Sequence, residues 1–171
     1  MLHGYERAEL HSLRQHLDTD VVGRIIALEK VATYAAAYLA ALLALAILDG
    51  LWLGVIAREF YKGRIGPLLL DPPNWTAAAL FYLVHAAGIV VFPVAMAAGV
   101  GSGGPGWWGG SAMTALLYGA LFGFFAYAVY DLTNLATLRG WSPAVTIVDL
   151  AWGTAATALA AVAAHYGKNA F

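Results

Sequence analysis

The chain has 171 residues, 61% of them hydrophobic and 11% charged, with no cysteine and a net charge of −1. A soluble domain carries charge on roughly a quarter of its residues, so this composition excludes a water-soluble globule and, equally, a disordered chain. Nine basic residues against ten acidic ones leave no basic face for nucleic acid, and the missing cysteines exclude disulfides, thiolate metal sites and iron–sulfur clusters.

Residues 1–30 hold nine of the nineteen charges. Leu10, Leu13 and Leu17 recur at helical spacing among Glu9, Arg14 and Gln15. This segment reads as an amphipathic helix, lying on the membrane surface or extending the helix that follows. It is also the natural docking arm for a partner, in a homodimer or a larger membrane complex. Five acids speak against a secretory signal. His3, His11 and His16 lack metal-site spacing.

Residues 31–171 are the transmembrane domain. Four apolar runs, at about 31–56, 76–100, 112–135 and 143–165, each reach the roughly 20 residues that cross a bilayer core. They are Ala/Leu-rich and do not alternate, so they are helices and not barrel strands. The fold class is therefore all-α, a polytopic bundle of four transmembrane helices with an N-terminal amphipathic segment. In the connections, Trp75, Trp107, Trp108 and Trp141 read as interfacial anchors. The stretch from Leu138 to Pro143 reads as a tight hairpin, with Gly140 at the helix C′ position, Ser142 as N-cap and Pro143 at N1.

An ionisable residue in lipid is costly and asks for a reason. There is one in each helix: Asp49, His85, Asp131 and Asp149. Counted from the helix ends, all four lie about 9–14 Å in from the same face. Helix three adds the stripe Gly119, Gly123, Tyr127, Asp131 and Asn134. Helices one and four each carry an Asp three residues before a Trp, Asp49 with Trp52 and Asp149 with Trp152. Because these helices run in opposite directions, Asp49 is expected level with Trp152 and Asp149 with Trp52. The reading is a pocket open to one membrane face. Asp49, His85, Asp131 and Asp149 bind or hold protons, Asn134, Tyr127, Trp52 and Trp152 orient them, and Arg58, Arg64 and Arg139 rim the mouth. Interhelical clamping by the same hydrogen bonds is the simpler alternative. No cofactor is expected, although the four ionisable residues could instead hold a divalent cation.

The segments LDGLWLGVIAREFY, PNWTAAALFYLVHAAG, YGALFGFFAYAVYDLTNLATLRGW and VDLAWGT resemble the bacterial integral-membrane family catalogued as domain of unknown function 2177. The resemblance covers about residues 35–160 and implies a four-helix protein of the bacterial inner membrane. It carries over no activity, so no residue is assigned to catalysis. The long N-terminal segment departs from the short N-termini of the family. The expected function is binding or processing of a small amphipathic or lipid-like ligand. A proton-coupled transporter working as a dimer and a structural subunit docked through residues 1–30 are the alternatives.

Overall fold

The computed structural model describes residues 2–97 and 111–170, without the side chains of 2–19 and 97. The expected anchors Trp107 and Trp108 and the imidazoles of His3, His11 and His16 lie outside what is described. Helix α1 spans Leu2–Leu51 and passes into a π-helical segment, Trp52–Ile56. A short helix α2, Arg58–Ile65, follows. Helix α3, Trp75–Ile89, continues through a second π segment, Val90–Val94, into a single turn, α4, at Ala95–Ala97. Helices α5 (Ala112–Thr137) and α6 (Pro143–Lys168) complete the bundle. Among the described residues there is no strand, and four helices are long and apolar enough to cross a membrane.

Local signals account for most of the boundaries. Asn74 caps α3 by accepting the Ala77 N–H at 3.1 Å, and Ser111 caps α5 by accepting the Thr114 N–H at 3.2 Å. Pro93 has no N–H to give to the preceding turn, which explains the π segment around it. In the hairpin Gly140 takes a positive φ of 84°, as its lack of a Cβ allows. The cap of α5 is Leu138, so Gly140 comes one position later than the expected C′. Pro143 opens α6 after Ser142, whose side chain makes no cap bond.

Residues 2–30 do not form a separate surface helix, because the helix that starts at Leu2 runs unbroken into the first membrane span. From Asp20 to Ile56 it has 37 residues, roughly 55 Å at 1.5 Å per residue, against a hydrocarbon core of about 30 Å. Its first part stands clear of the bundle, and every side chain from Asp20 to Ala32 is exposed.

Packing within the bundle follows small-residue stripes. On α1 the buried positions are Ala37, Ala41, Leu45 and Asp49, each four after the last. Leu39, Leu43 and Ile47 point outward, as lipid-facing residues should. Helix α1 lies between α3 and α6, while α5 lies between α6 and the Val90–Val94 segment. Helices α5 and α6 approach most closely. A Cβ placed on Gly119 would sit 2.6 Å from that of Ala161, and one on Gly123 would sit 2.7 Å from that of Thr157. Such contacts are how helices associate where no hydrophobic effect drives them together.

Candidate functional site

The half of the bundle nearest α2 is built differently. It holds a cavity of about 670 Å³ into which every membrane-crossing helix and α2 contribute side chains. Helix α1 supplies Asp49, α6 supplies Asp149 and Trp152, and α3 supplies Phe81, Tyr82 and His85. Helix α5 adds Ala126, Tyr127 and Tyr130, and α2 adds Tyr61. Asp49 and His85 are 3% and 7% exposed.

The polar groups form one connected chain. The Trp152 indole N–H donates to Asp49 Oδ1 at 2.8 Å. Trp152 stacks flat on Trp52, with ring centres 4.2 Å apart and planes 5° from parallel. The Trp52 N–H then donates to the Tyr61 hydroxyl at 3.1 Å, and that hydroxyl donates to Asp149 Oδ1. Asp149 and Asp131 lie within hydrogen-bonding reach of each other. Asp131 is fully buried, and no N–H or O–H donor reaches either of its oxygens. Two carboxylates are both acceptors, so this contact becomes a hydrogen bond only with a proton between them. Burial, then the bond to Asp149, holds the Tyr61 hydroxyl above the ordinary tyrosine range. Tyr61 is therefore a neutral donor to Asp149.

The level pairing of antiparallel helices holds for Asp49 and Trp152. For Asp149 and Trp52 the structure inserts Tyr61. His85 lines the same cavity as Asp49 and Asp149 and shares its hydrogen bond, of 3.0 Å, with the buried Thr157 hydroxyl. Tyr127 lies over Gly153, whose missing side chain leaves room for the ring. Asn134 is half-buried beside Tyr130, with which it hydrogen-bonds, and does not line the cavity. Arg58, Arg64 and Arg139 are exposed and do not line it either. Arg64 lies over the Phe60 ring, 4.0 Å from its centre. Among the described residues no group of three acids, histidines or cysteines is disposed to hold a metal ion.

Tyr61, Phe81, Tyr82, Tyr130 and Thr157 escape a reading of the sequence that searches for charges in lipid. Tyr61 had a signal. Ala57, Tyr61 and Ile65 recur every four residues on an otherwise charged helix, and all three are buried against Val145 of α6. That apolar stripe turns α2 back onto the bundle and carries the phenol to Asp149.

Two boundaries define the cavity. Toward the other half lies a packed apolar core of Ala37, Ala41, Ala86, Ile89, Ala160 and Ala164, all fully buried. On one flank the wall is incomplete. Helix α5 packs on the Val90–Val94 segment, whereas the backbones of α3 and α5 stand apart. They meet through the Phe122 ring of α5, which lies against His85 and Gly88 of α3. Phe81 and Tyr130, from the two sides of this gap, are 41% and 57% exposed.

A comparison with protein families bears on the whole of this region. The family model described as "Predicted membrane protein (DUF2177)" matches residues 34–166. The chain belongs to this family. It is an integral membrane protein, as the family description and its four apolar helices agree. The match takes in every cavity residue and leaves out most of the N-terminal extension. No curated protein and no solved structure matches the chain.

Proposed function

We propose that this DUF2177 member binds a small amphipathic molecule in the cavity beside Asp49 and Asp149, and that it does so in a bacterial inner membrane. One observation carries the reading: a space of about 670 Å³ lined by Asp49, Asp149 and four tyrosines together with Leu53, Phe81 and three alanines. Ligand sites have this size and this mixture of apolar lining with a few convergent polar groups. Clamping alone accounts for the Trp152–Asp49 bond but not for a cavity beside it. Binding fits better than passage across the membrane, because closely packed alanine and branched aliphatic side chains fill the opposite half.

The test uses the protein in nanodiscs and a single-chain alcohol brominated in its tail. Bromine quenches nearby indoles, and Trp152 lines the cavity. A saturable component of quenching is expected, and it should disappear when Ala78→Phe and Ala126→Phe fill the cavity. Quenching that never saturates, or is the same in the filled variant, would overturn the reading.

A further inference from the structure

The cavity contains acids, phenols, an indole and the His85 imidazole, which is bonded to Thr157, and no lysine or arginine lines it. Among the described residues the one ion pair joins Arg24 to Asp20, on the exposed part of α1. Asp49 and Asp149 thus face the space with only neutral N–H and O–H donors behind them. Asp131, wholly buried next to Asp149, has no donor at all. Three acids with no cationic side chain beside them lie in a place of low dielectric, where an uncompensated charge is expensive and a cation in the space would offset it. Phe81, Tyr82, Tyr127 and Tyr130 line the same space. Carboxylates together with aromatic faces are the combination that holds organic cations.

We propose that the occupant is a single-chain amphiphile with an ammonium head group, entering sideways from the bilayer between α3 and α5 and held by Asp49 and Asp149. This deepens the binding reading above and rests on it. An anionic head group fits poorly, because no lysine or arginine lines the cavity and its one imidazole, His85, is buried and bonded to Thr157. The half-exposed Phe81 and Tyr130, which line the same cavity as the carboxylates, suit a hydrocarbon chain.

The experiment displaces the brominated alcohol from protein in zwitterionic nanodiscs. Its competitors share a dodecyl chain and differ in head group: trimethylammonium, hydroxyl and sulfate. A fourth, tetramethylammonium, has the charge and no chain. Dodecyltrimethylammonium is expected to displace the probe at a concentration about tenfold lower than dodecanol, with dodecyl sulfate the weakest. Tetramethylammonium should act only far above either. Asp149→Asn should remove most of the ammonium advantage, read as the ratio of the dodecanol and dodecyltrimethylammonium concentrations within that variant. If that variant does not fold, the head-group series on the unmodified protein still decides. Equal displacement by alcohol and ammonium would overturn the cationic head group and leave the cavity reading standing. Equal displacement by tetramethylammonium and its dodecyl counterpart would overturn entry from the bilayer. A probe with no saturable component would remove both readings together.

Discussion

The same four helices make two unlike halves. In one, Ala37, Ala41, Ala86, Ala160, Ala161 and Ala164 meet with Ile89 and Val94 in a closely packed apolar cluster. In the other, Asp49, Asp149, His85 and Tyr61 line open space with Asp131 buried behind Asp149, and the backbones of α3 and α5 stand apart. The difference lies in side-chain size as much as in polarity. Alanine and glycine let backbones touch, whereas the rings of Phe81, Tyr82, Tyr127 and Trp152 hold them apart. A bundle sealed at one end by small residues can leave the other end loosely packed and polar without coming apart. Stability and the candidate site are in this way assigned to different halves.

The largest effect is expected from breaking the tight contact that supports both halves. Gly123→Leu would push a side chain into Thr157 and the α6 backbone. Overpacking costs about 1–3 kcal/mol and more where backbone is in the way. The variant should lose most of its monodisperse peak in size-exclusion chromatography. Gly63→Ala, where a Cβ has no neighbour within 4 Å, should elute like the parent. A stable Gly123→Leu protein would show that the α5–α6 contact does not hold the bundle together.

Next comes Tyr61, which ties the loop helix to the polar half. Tyr61→Phe leaves the Trp52 N–H and an Asp149 oxygen without partners. About 1–3 kcal/mol of stability should be lost. The loss depends on pH in a defined direction. Because the folded state holds the Tyr61 proton above the ordinary range, its contribution is complete below pH about 10 and is lost as pH rises beyond that. Thermal melts of the two proteins should therefore differ most at pH 8 and converge in strong alkali. A gap that widened with alkali would contradict the neutral phenol.

The bundle itself was legible because lipid enforces simple rules. Four long apolar runs permit only helices, and Pro143 at the first helical position marks the entry of the last. The acids were legible for the same reason, since a charge in an apolar run stands out. The aromatic residues were not. Phe81, Tyr82 and Tyr130 look the same in sequence whether they face lipid, a helix or a cavity, and only the gap between α3 and α5 separates these cases. Tyr61 was hidden by its position in a connection, where charged neighbours suggest solvent. The length of α1 was hidden as well, because charge in residues 1–30 marks the end of the apolar run and not the end of the helix.

Asp131 offers a smaller effect of opposite sign. Its buried oxygens lack donors, and its neighbour Asp149 is an acceptor. Asp131→Asn would add an N–H₂ facing that acceptor in nearly the same volume. A gain of about 1 kcal/mol is expected, read as a higher melting temperature. A loss of stability would mean that the shared proton already satisfies the pair, and that Asp131 belongs to the structural half of the comparison.

The smallest effect is expected at the arginines that sequence placed at the mouth. Arg58, Arg64 and Arg139 are exposed and outside the cavity lining, and Arg64 is already engaged with the Phe60 ring and carbonyl. Charges at such positions are screened over about 8–10 Å at ordinary salt, and surface substitutions shift stability by no more than about 0.5 kcal/mol. Replacing all three by glutamine should thus leave the melting temperature in place. Displacement by dodecyltrimethylammonium should stay within about twofold of the parent and move, if at all, toward tighter binding, because positive charge near the opening has been removed. The opposite outcome would be informative in a specific way. If the triple variant lost affinity for dodecyl sulfate while the parent bound it well, the head group would be anionic and the arginines would belong to the site. The polar half would then divide again, into an outer cationic ring that recognises the ligand and an inner acidic cluster that holds protons.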